Sequence, residues 1–188
     1  KGFYSLSSPV WSNFGRTRGL PISCFGSYID DTMESILDTN SEIGMMSKHG
    51  GGTSAYFGGI RSRGSAISSG GESDGAASFM RIFDTTVDVS KQAAVRRGSM
   101  ACYLPIEHGD IDEFLNVRKE GNPIQHLLTG VTVGDEWMQS MIDGDTDKRK
   151  IWAKVIESRS EVGIPYVMFR DNVNNNKPEV YKDKEMDV

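Results

Sequence analysis

The segment Met100-Ala-Cys-Tyr-Leu-Pro-Ile106 is followed after three residues by Asp110-Ile-Asp-Glu113, and this succession indicates the fold class. The first segment is short, apolar and partly aromatic, which is typical of a strand. The second has the spacing of a capping box directly before Phe114 and Leu115, which predicts a helix after Asp110. A strand that leads into a helix is the repeating unit of an α/β fold.

The same succession recurs on both sides of this segment. Short runs of β-branched and aromatic residues predict four further strands, over residues 24–29, 54–60, 130–133 and 166–169. Apolar residues at helical spacing predict helices between them. These residues are Met33, Ile36, Leu37 and Ile43; Phe79, Ile82, Phe83 and Val87; Trp137, Met138, Met141 and Ile142; Ile151, Trp152, Val155 and Ile156. The alternation predicts one α/β domain of largely parallel strands spanning residues 1–188.

The first helix carries signals at both of its ends. Asp31-Thr-Met-Glu34 has capping-box spacing, so we expect the helix to begin at Asp31. Lys48 suits the last turn, and Gly50-Gly51-Gly52 should end the helix.

Composition excludes several classes of protein. With 188 residues, 37% of them hydrophobic and 25% charged, the chain can build one ordinary core. A net charge of -5 argues against nucleic acid as a partner. No apolar run reaches the length of a membrane helix, and two cysteines are too few for a secreted disulfide scaffold, which favours the cytoplasm. The chain begins without Met and ends in a polar stretch, so we expect a truncated or split polypeptide.

Two segments could bind anions. Residues 61–75 are rich in Ser and Gly and lie between a predicted strand and a helix, where backbone amides, hydroxyls and Arg61 could surround a phosphate. A flexible surface loop explains the same composition equally well. The basic segment Lys91-Gln-Ala-Ala-Val-Arg-Arg-Gly98 could contact a nucleotide, or its arginines could serve only the helix end and solvent.

The two cysteines and three histidines give weaker signals. Cys24 and Cys102 both lie in apolar strands, where an inert core cysteine is the simplest interpretation. His108 follows Glu107, and we expect these two side chains to form a buried hydrogen-bonded pair. The histidines lack ligand spacing with cysteines or carboxylates, so no metal site is predicted.

Taken together, eight segments resemble, in order, the large catalytic subunit of ribonucleotide reductases. They are Ser8-Pro9, Pro21-Ile-Ser-Cys-Phe25, Asp30-Asp-Thr-Met-Glu-Ser-Ile36, Ser47-Lys-His-Gly-Gly-Gly52, Ile60-Arg-Ser-Arg-Gly-Ser65, Arg96-Arg-Gly98, His108-Gly-Asp-Ile-Asp-Glu-Phe-Leu115 and Glu161-Val-Gly-Ile-Pro-Tyr166. The resemblance implies a ten-stranded α/β barrel, of which the five predicted strands would form about half. It also implies reduction of ribonucleotides to deoxyribonucleotides by thiol and radical chemistry, under the control of effector nucleotides.

The resemblance implies three groups of site residues. Cys24 corresponds to one thiol of the redox pair that becomes a disulfide. Substrate contacts are implied for Ser8, Ser23, Gly52, Gln92 and Arg96. Effector contacts are implied for Asp31, Thr32 and Met33 toward the sugar and base, and for Lys48, Arg61, Ser68 and Ser69 toward the phosphates. We expect all of these groups to converge beside Cys24.

Departures from the family qualify what this chain could do alone. Ala93 and Ala94 replace two glycines in the segment that carries effector identity to the substrate. The radical cysteine and the partner of Cys24 are missing, so we expect the isolated chain to be inactive and to need the remainder of the large subunit. A non-catalytic nucleotide-binding module is the alternative.

The resemblance also implies partners. The radical would come from a separate metal-containing small subunit or, alternatively, from adenosylcobalamin. Thioredoxin or glutaredoxin would be the reductant, dNTPs or ATP the effectors, and the subunit would form a homodimer in the cytoplasm, or in the host cytoplasm if the source is a virus.

Overall fold

The computed structural model describes residues 2, 4–17, 21–49, 51–90 and 99–186. Five parallel strands form a single sheet in sequence order, which confirms the predicted α/β class. The strands are β1 (Cys24–Tyr28), β2 (Gly52–Tyr56), β3 (Ser99–Pro105), β4 (Leu128–Val133) and β5 (Tyr166–Phe169). Because the strands are parallel, all of their amino ends lie at one edge of the sheet and all of their carboxyl ends at the other.

Helices connect successive strands, as the apolar spacing predicts, and further short helices precede β1 and follow β5. They are α1 (Ser8–Asn13), α2 (Met33–Lys48), α3 (Ala76–Val89), α4 (Ile111–Phe114), α5 (Asp135–Asp143), α6 (Thr146–Val162), α7 (Arg170–Asn175) and α8 (Glu179–Asp183). The three helices that were not predicted, α1, α7 and α8, have at most six residues, too few to show a periodic apolar pattern.

Predicted boundaries are wrong at β2, β4 and α2. The fourth strand begins at Leu128 rather than Gly130. The second strand begins at Gly52 rather than Ser54 and ends at Tyr56, because residues 57–60 turn away from the sheet. The helix α2 begins at Met33 rather than Asp31. Its cap is Thr32, whose hydroxyl accepts a hydrogen bond from the Ser35 N–H at 3.1 Å.

One face of the sheet carries the core. Ala55, Cys102 and Val131 alternate into this face and share a buried cluster with Ile43 of α2 and Phe83 of α3. Phe83 also meets Phe57 edge to face, with ring centroids 5.2 Å apart.

The opposite face is lined by a row of tyrosines in register across the strands. Tyr28, Tyr56 and Tyr103 are direct neighbours, and Gly130 separates Tyr103 from Tyr166. The ring of Tyr103 occupies the space that a side chain at position 130 would need, which explains the glycine. Burial raises the pKa of the Tyr56 and Tyr103 hydroxyls above the ordinary value.

The two thiols differ in environment. Cys24 is exposed at the start of β1, whereas Cys102 is fully buried in β3, and both are free. Burial raises the pKa of the Cys102 thiol well above its ordinary value, and the nearby Asp84 carboxylate acts in the same direction. Cys102 should therefore be both inaccessible and protonated.

We predict that one thiol per chain reacts rapidly with Ellman's reagent in the folded protein at pH 8, and that the second reacts only after denaturation. The fast reaction should disappear in Cys24→Ser and persist in Cys102→Ala. Rapid reaction of both thiols in native buffer would show that β3 is not protected as described.

Candidate functional site

The proposed site residues fall at both edges of the sheet. Cys24 and Gly52 begin their strands, whereas Asp31 and Arg61 follow the carboxyl ends of β1 and β2. Four residue steps along β1, from Cys24 to Tyr28, span roughly 13 Å. The expectation that all site residues converge beside Cys24 is therefore wrong for a single chain, because the parallel sheet separates them.

The amino edge brings together Ser23, Cys24 and Gly52. The Gly52 N–H donates to the Ser23 carbonyl at 2.6 Å, and Gly52 lies directly opposite Cys24 in the parallel register. Gly52 has no side chain, so space remains beside the exposed thiol. A Cβ at this position would meet its nearest neighbour, the Ser23 carbonyl, at 3.4 Å, so the folded chain itself does not require glycine here.

The carboxyl edge holds a fixed cation. The carboxylate of Asp31 accepts from Arg61 twice, from the backbone N–H at 3.1 Å and from Nε at 2.6 Å. Arg61 Nη1 in turn donates to the Ala66 carbonyl at 2.6 Å. The sequence assigned Asp31 to the start of α2, but its carboxylate orients Arg61 instead.

Residues 62–75, which we call the Ser-Gly hairpin, form an ordered structure. The Gly64 N–H donates to the Ser73 carbonyl at 2.9 Å, and the Ser73 N–H donates to the Ser65 carbonyl at 2.8 Å. Ala66 and Glu72 form an antiparallel bridge above them. Ser68 and Ser69 are exposed at the tip. Their hydroxyls are therefore available to a ligand that approaches from solvent.

Residues 108–113, to which the sequence analysis gave no site role, lie against the base of this hairpin. The Asp110 N–H donates to His108 Nδ1 at 3.1 Å, so Nε2 carries the proton and donates to the Ile60 carbonyl at 2.8 Å. The expected pair of His108 with Glu107 is therefore wrong, because both ring nitrogens of His108 bind backbone groups. The Glu107 carboxylate lies 3.6 Å from the Arg170 guanidinium instead.

Acidic side chains of the same segment bind the hairpin. The Asp110 carboxylate accepts from the Arg63 N–H at 2.9 Å and from the Ala76 N–H at 2.7 Å. Glu113 accepts from Arg63 Nε at 2.6 Å and from Nη2 at 3.0 Å. The hydrogen bond to Arg63 lowers the pKa of Glu113, and the same bond raises the pKa of Arg63. The sequence showed Asp110 and Glu113 only as a capping box, so these long-range contacts were missed.

The remaining predicted residues are dispersed. Lys48 is exposed in the last turn of α2, and this 16-residue helix, about 24 Å long, separates it from Thr32 and the Arg61 cluster. Ser8 is exposed at the start of α1, and Met33 is exposed at the start of α2. Gln92 and Arg96 lie outside the described residues, as do Ala93 and Ala94.

Neither a metal centre nor a membrane span is found among the described residues. No group of three or more His, Cys, Asp or Glu side chains in the described ranges could hold a metal ion. No helix in the described part of the chain has the length and apolarity to cross a bilayer.

Comparison with known proteins gives one consistent family. Residues 22–148 match the family model described as the ribonucleotide reductase barrel domain. The chain is 32% identical to the ribonucleoside-diphosphate reductase large subunit of Invertebrate iridescent virus 6 and covers 22% of that protein with its full length. Over 91% of its length it is 39% identical to a vitamin B12-dependent ribonucleotide reductase of Streptomyces clavuligerus, again covering 22% of the relative.

A solved structure agrees. The chain superimposes on the class Id ribonucleotide reductase alpha subunit of Actinobacillus ureae with a TM-score of 0.86 and 56% identity, covering 98% of this chain and 34% of that one. The chain thus spans between 22% and 34% of the length of these relatives. The parallel sheet, the order of the motifs and these matches agree that the chain belongs to the ribonucleotide reductase large-subunit family and forms part of its barrel domain.

Proposed function

We propose that this chain supplies a redox thiol, part of the substrate site and part of the effector site of a ribonucleotide reductase. The observation that carries the proposal is the exposed thiol of Cys24 beside the open position at Gly52, in a chain of this family. In the reaction two thiols lose two electrons and two protons to form a disulfide, the ribose 2′ hydroxyl leaves as water, and the 2′ carbon gains a hydrogen.

The amino edge is the substrate side of this proposal. Cys24 lies at the strand end with its sulfur exposed, so a ribose over Gly52 would lie within reach of the thiol. The hydrogen bond from the Gly52 N–H to the Ser23 carbonyl holds Ser23 beside Cys24, and the Ser23 hydroxyl is proposed to contact a substrate phosphate. Ser8, Gln92 and Arg96 are proposed as further substrate contacts.

The carboxyl edge is the effector side. A guanidinium that is held by Asp31 and Ala66 keeps its orientation before a ligand arrives, which lowers the entropic cost of binding a phosphate. The exposed hydroxyls of Ser68 and Ser69 at the hairpin tip add neutral donors. Thr32 and Met33, at the start of α2, are proposed to contact the sugar and base of a dNTP or ATP.

The position of Lys48 supports a homodimer. If Lys48 and Arg61 contact the phosphates of one nucleotide, the length of α2 requires that they come from two different chains. The helix also exposes Met33, Leu37 and Met45, each by about half of its surface, and such side chains would be covered in an interface between two copies.

The radical source is proposed from the relatives. A class Id alpha subunit at 56% identity favours a separate metal-containing small subunit, whereas the B12-dependent relatives keep adenosylcobalamin as the alternative. A dithiol protein such as thioredoxin or glutaredoxin would regenerate the thiols. We propose a cytoplasmic location, in the host if the protein is viral.

The effector site can be tested by calorimetry with dTTP on the complete large subunit. We expect Arg61→Ala to raise the Kd at least about tenfold, because a charge-assisted phosphate contact is lost. Lys150→Ala, which removes an exposed cation on α6, should leave the Kd unchanged. Equal binding by wild type and Arg61→Ala would contradict the assignment.

The catalytic role of Cys24 can be tested in the same large subunit, combined with its radical-generating partner. We expect Cys24→Ser to abolish multiple turnover of CDP with dithiol as reductant, because no disulfide can form. Cys102→Ala should keep its turnover. Undiminished turnover by Cys24→Ser would refute the role, and turnover in wild type distinguishes an enzyme from a nucleotide-binding module.

A subunit-mixing experiment tests the shared effector site. Arg61→Ala and Lys48→Ala should each bind dTTP weakly alone. In an equimolar mixture that exchanges subunits, half of the dimers are mixed and each has one intact site, so about a quarter of all sites should regain wild-type affinity. If mixing restores no binding although exchange is demonstrated with tagged subunits, then the two residues do not form a shared site.

A further inference from the structure

Residues 108–113, His-Gly-Asp-Ile-Asp-Glu, follow β3 and have no part in the proposed function so far. This segment contacts the Ser-Gly hairpin, residues 62–75, and the residues on either side of it. At the first end it meets Ile60, Ser62 and Arg63, and at the second end it meets Ala76, the first residue of α3.

The central contact is made by Asp110. This residue is 4% exposed, and its two carboxylate oxygens accept from backbone N–H groups that lie 13 residues apart in the chain. The Arg63 N–H binds one oxygen and the Ala76 N–H binds the other. A single buried carboxylate therefore closes the base of the hairpin, because moving either end would leave one of its buried oxygens without a donor.

Three further contacts fix the first end of the hairpin. The Glu113 carboxylate forms a two-pronged ion pair with the Arg63 guanidinium, at 2.6 Å and 3.0 Å. His108 Nε2 donates to the Ile60 carbonyl. Gly109 lies against Ser62 so closely that a Cβ would come within 2.6 Å of its Oγ. The segment thus follows the contour of the hairpin's first residues.

Not every acidic side chain of residues 108–113 contacts the hairpin. Asp112, between Asp110 and Glu113 in sequence, is turned toward α6, where its carboxylate accepts from Lys154 Nζ at 2.6 Å. Two acidic side chains of one short helix region therefore hold the hairpin, and the third provides a natural control.

We propose that residues 108–113 are a clamp that positions the Ser-Gly hairpin, with Asp110 and Glu113 as its positioning residues. The clamp does not touch the nucleotide. It sets the direction in which Arg61 and the Ser68-Ser69 tip face the effector, so it governs effector affinity rather than the reduction itself. This inference rests on the proposed function, because it assigns a regulator to the same effector site.

The test uses the complete large subunit with its radical-generating partner. We expect Glu113→Gln to raise the Kd for dTTP about tenfold in calorimetry, because the ionic half of the fork to Arg63 is lost. Turnover of CDP without effector should stay at the wild-type level. Asp112→Asn should change neither quantity.

A second pair of variants tests the geometry of the clamp. Asp110→Asn should weaken dTTP binding as well, since its amide N–H₂ cannot accept from a backbone N–H. Circular dichroism and thermal unfolding check that it folds. The exchange Arg63→Glu with Glu113→Arg rebuilds the ion pair with opposite polarity, and it should recover most of the affinity that either single variant loses.

The outcomes are distinct. Wild-type affinity in folded Glu113→Gln and Asp110→Asn would overturn the clamp while the effector site itself stood. An equal loss in Asp112→Asn would also overturn it, because the effect would then be a general loosening of α4. Absence of dTTP binding by the wild-type subunit would instead remove the effector site, and the clamp with it.

Discussion

The parallel alignment of five strands determines where every other element of the chain lies. Parallel pairing requires each connection to cross back over the sheet, so helices cover one face and strand ends of like polarity gather at each edge. The thiol of Cys24 consequently belongs to one edge and the guanidinium of Arg61 to the other. In a single chain the proposed chemistry and its proposed control are separated by the length of the strands, and α2 is the element that runs from the carboxyl edge to the amino edge.

The fold class could be predicted from the sequence because the residues that form the core are apolar and recur at the spacing of the helix or strand that carries them. Phe83 and Val87, which stand at helical spacing, are fully buried in α3, and Cys102 and Leu104 of the predicted apolar strand are fully buried in β3. Boundaries were less predictable where a residue had two possible uses. Asp31 and Asp110 each lie where a helix cap is expected. The carboxylate of each accepts hydrogen bonds from residues at least 30 positions away in the chain instead. The cap of α2 then passes to Thr32, and α3 is capped from outside by Asp110.

The site residues were predictable only as a set of motifs. A linear pattern identifies which residues belong to a family but carries no information about which edge of the sheet they reach. Lys48 illustrates this: its position in the last turn of α2 was expected, yet its separation from Arg61 follows only once α2 is seen to run antiparallel to the strands. The contacts of Glu113 with Arg63 could not be predicted for the same reason, since the two residues are 50 positions apart in the chain.

Glycines within the strands show which side of the sheet is kept open. Gly130 is explained by the folded chain, because the ring of Tyr103 fills the space above it. Gly26 and Gly52 are different: a Cβ would meet its nearest neighbour at 3.6 Å and 3.4 Å respectively, which is ordinary contact, and neither has the backbone conformation that favours glycine. Glycine weakens a strand, so two such glycines beside Cys24 are not accounted for by packing within the described chain. Their surface is free where the proposed function needs room for a ribose, and a side chain added at Gly52 would fill that room without disturbing the fold around it.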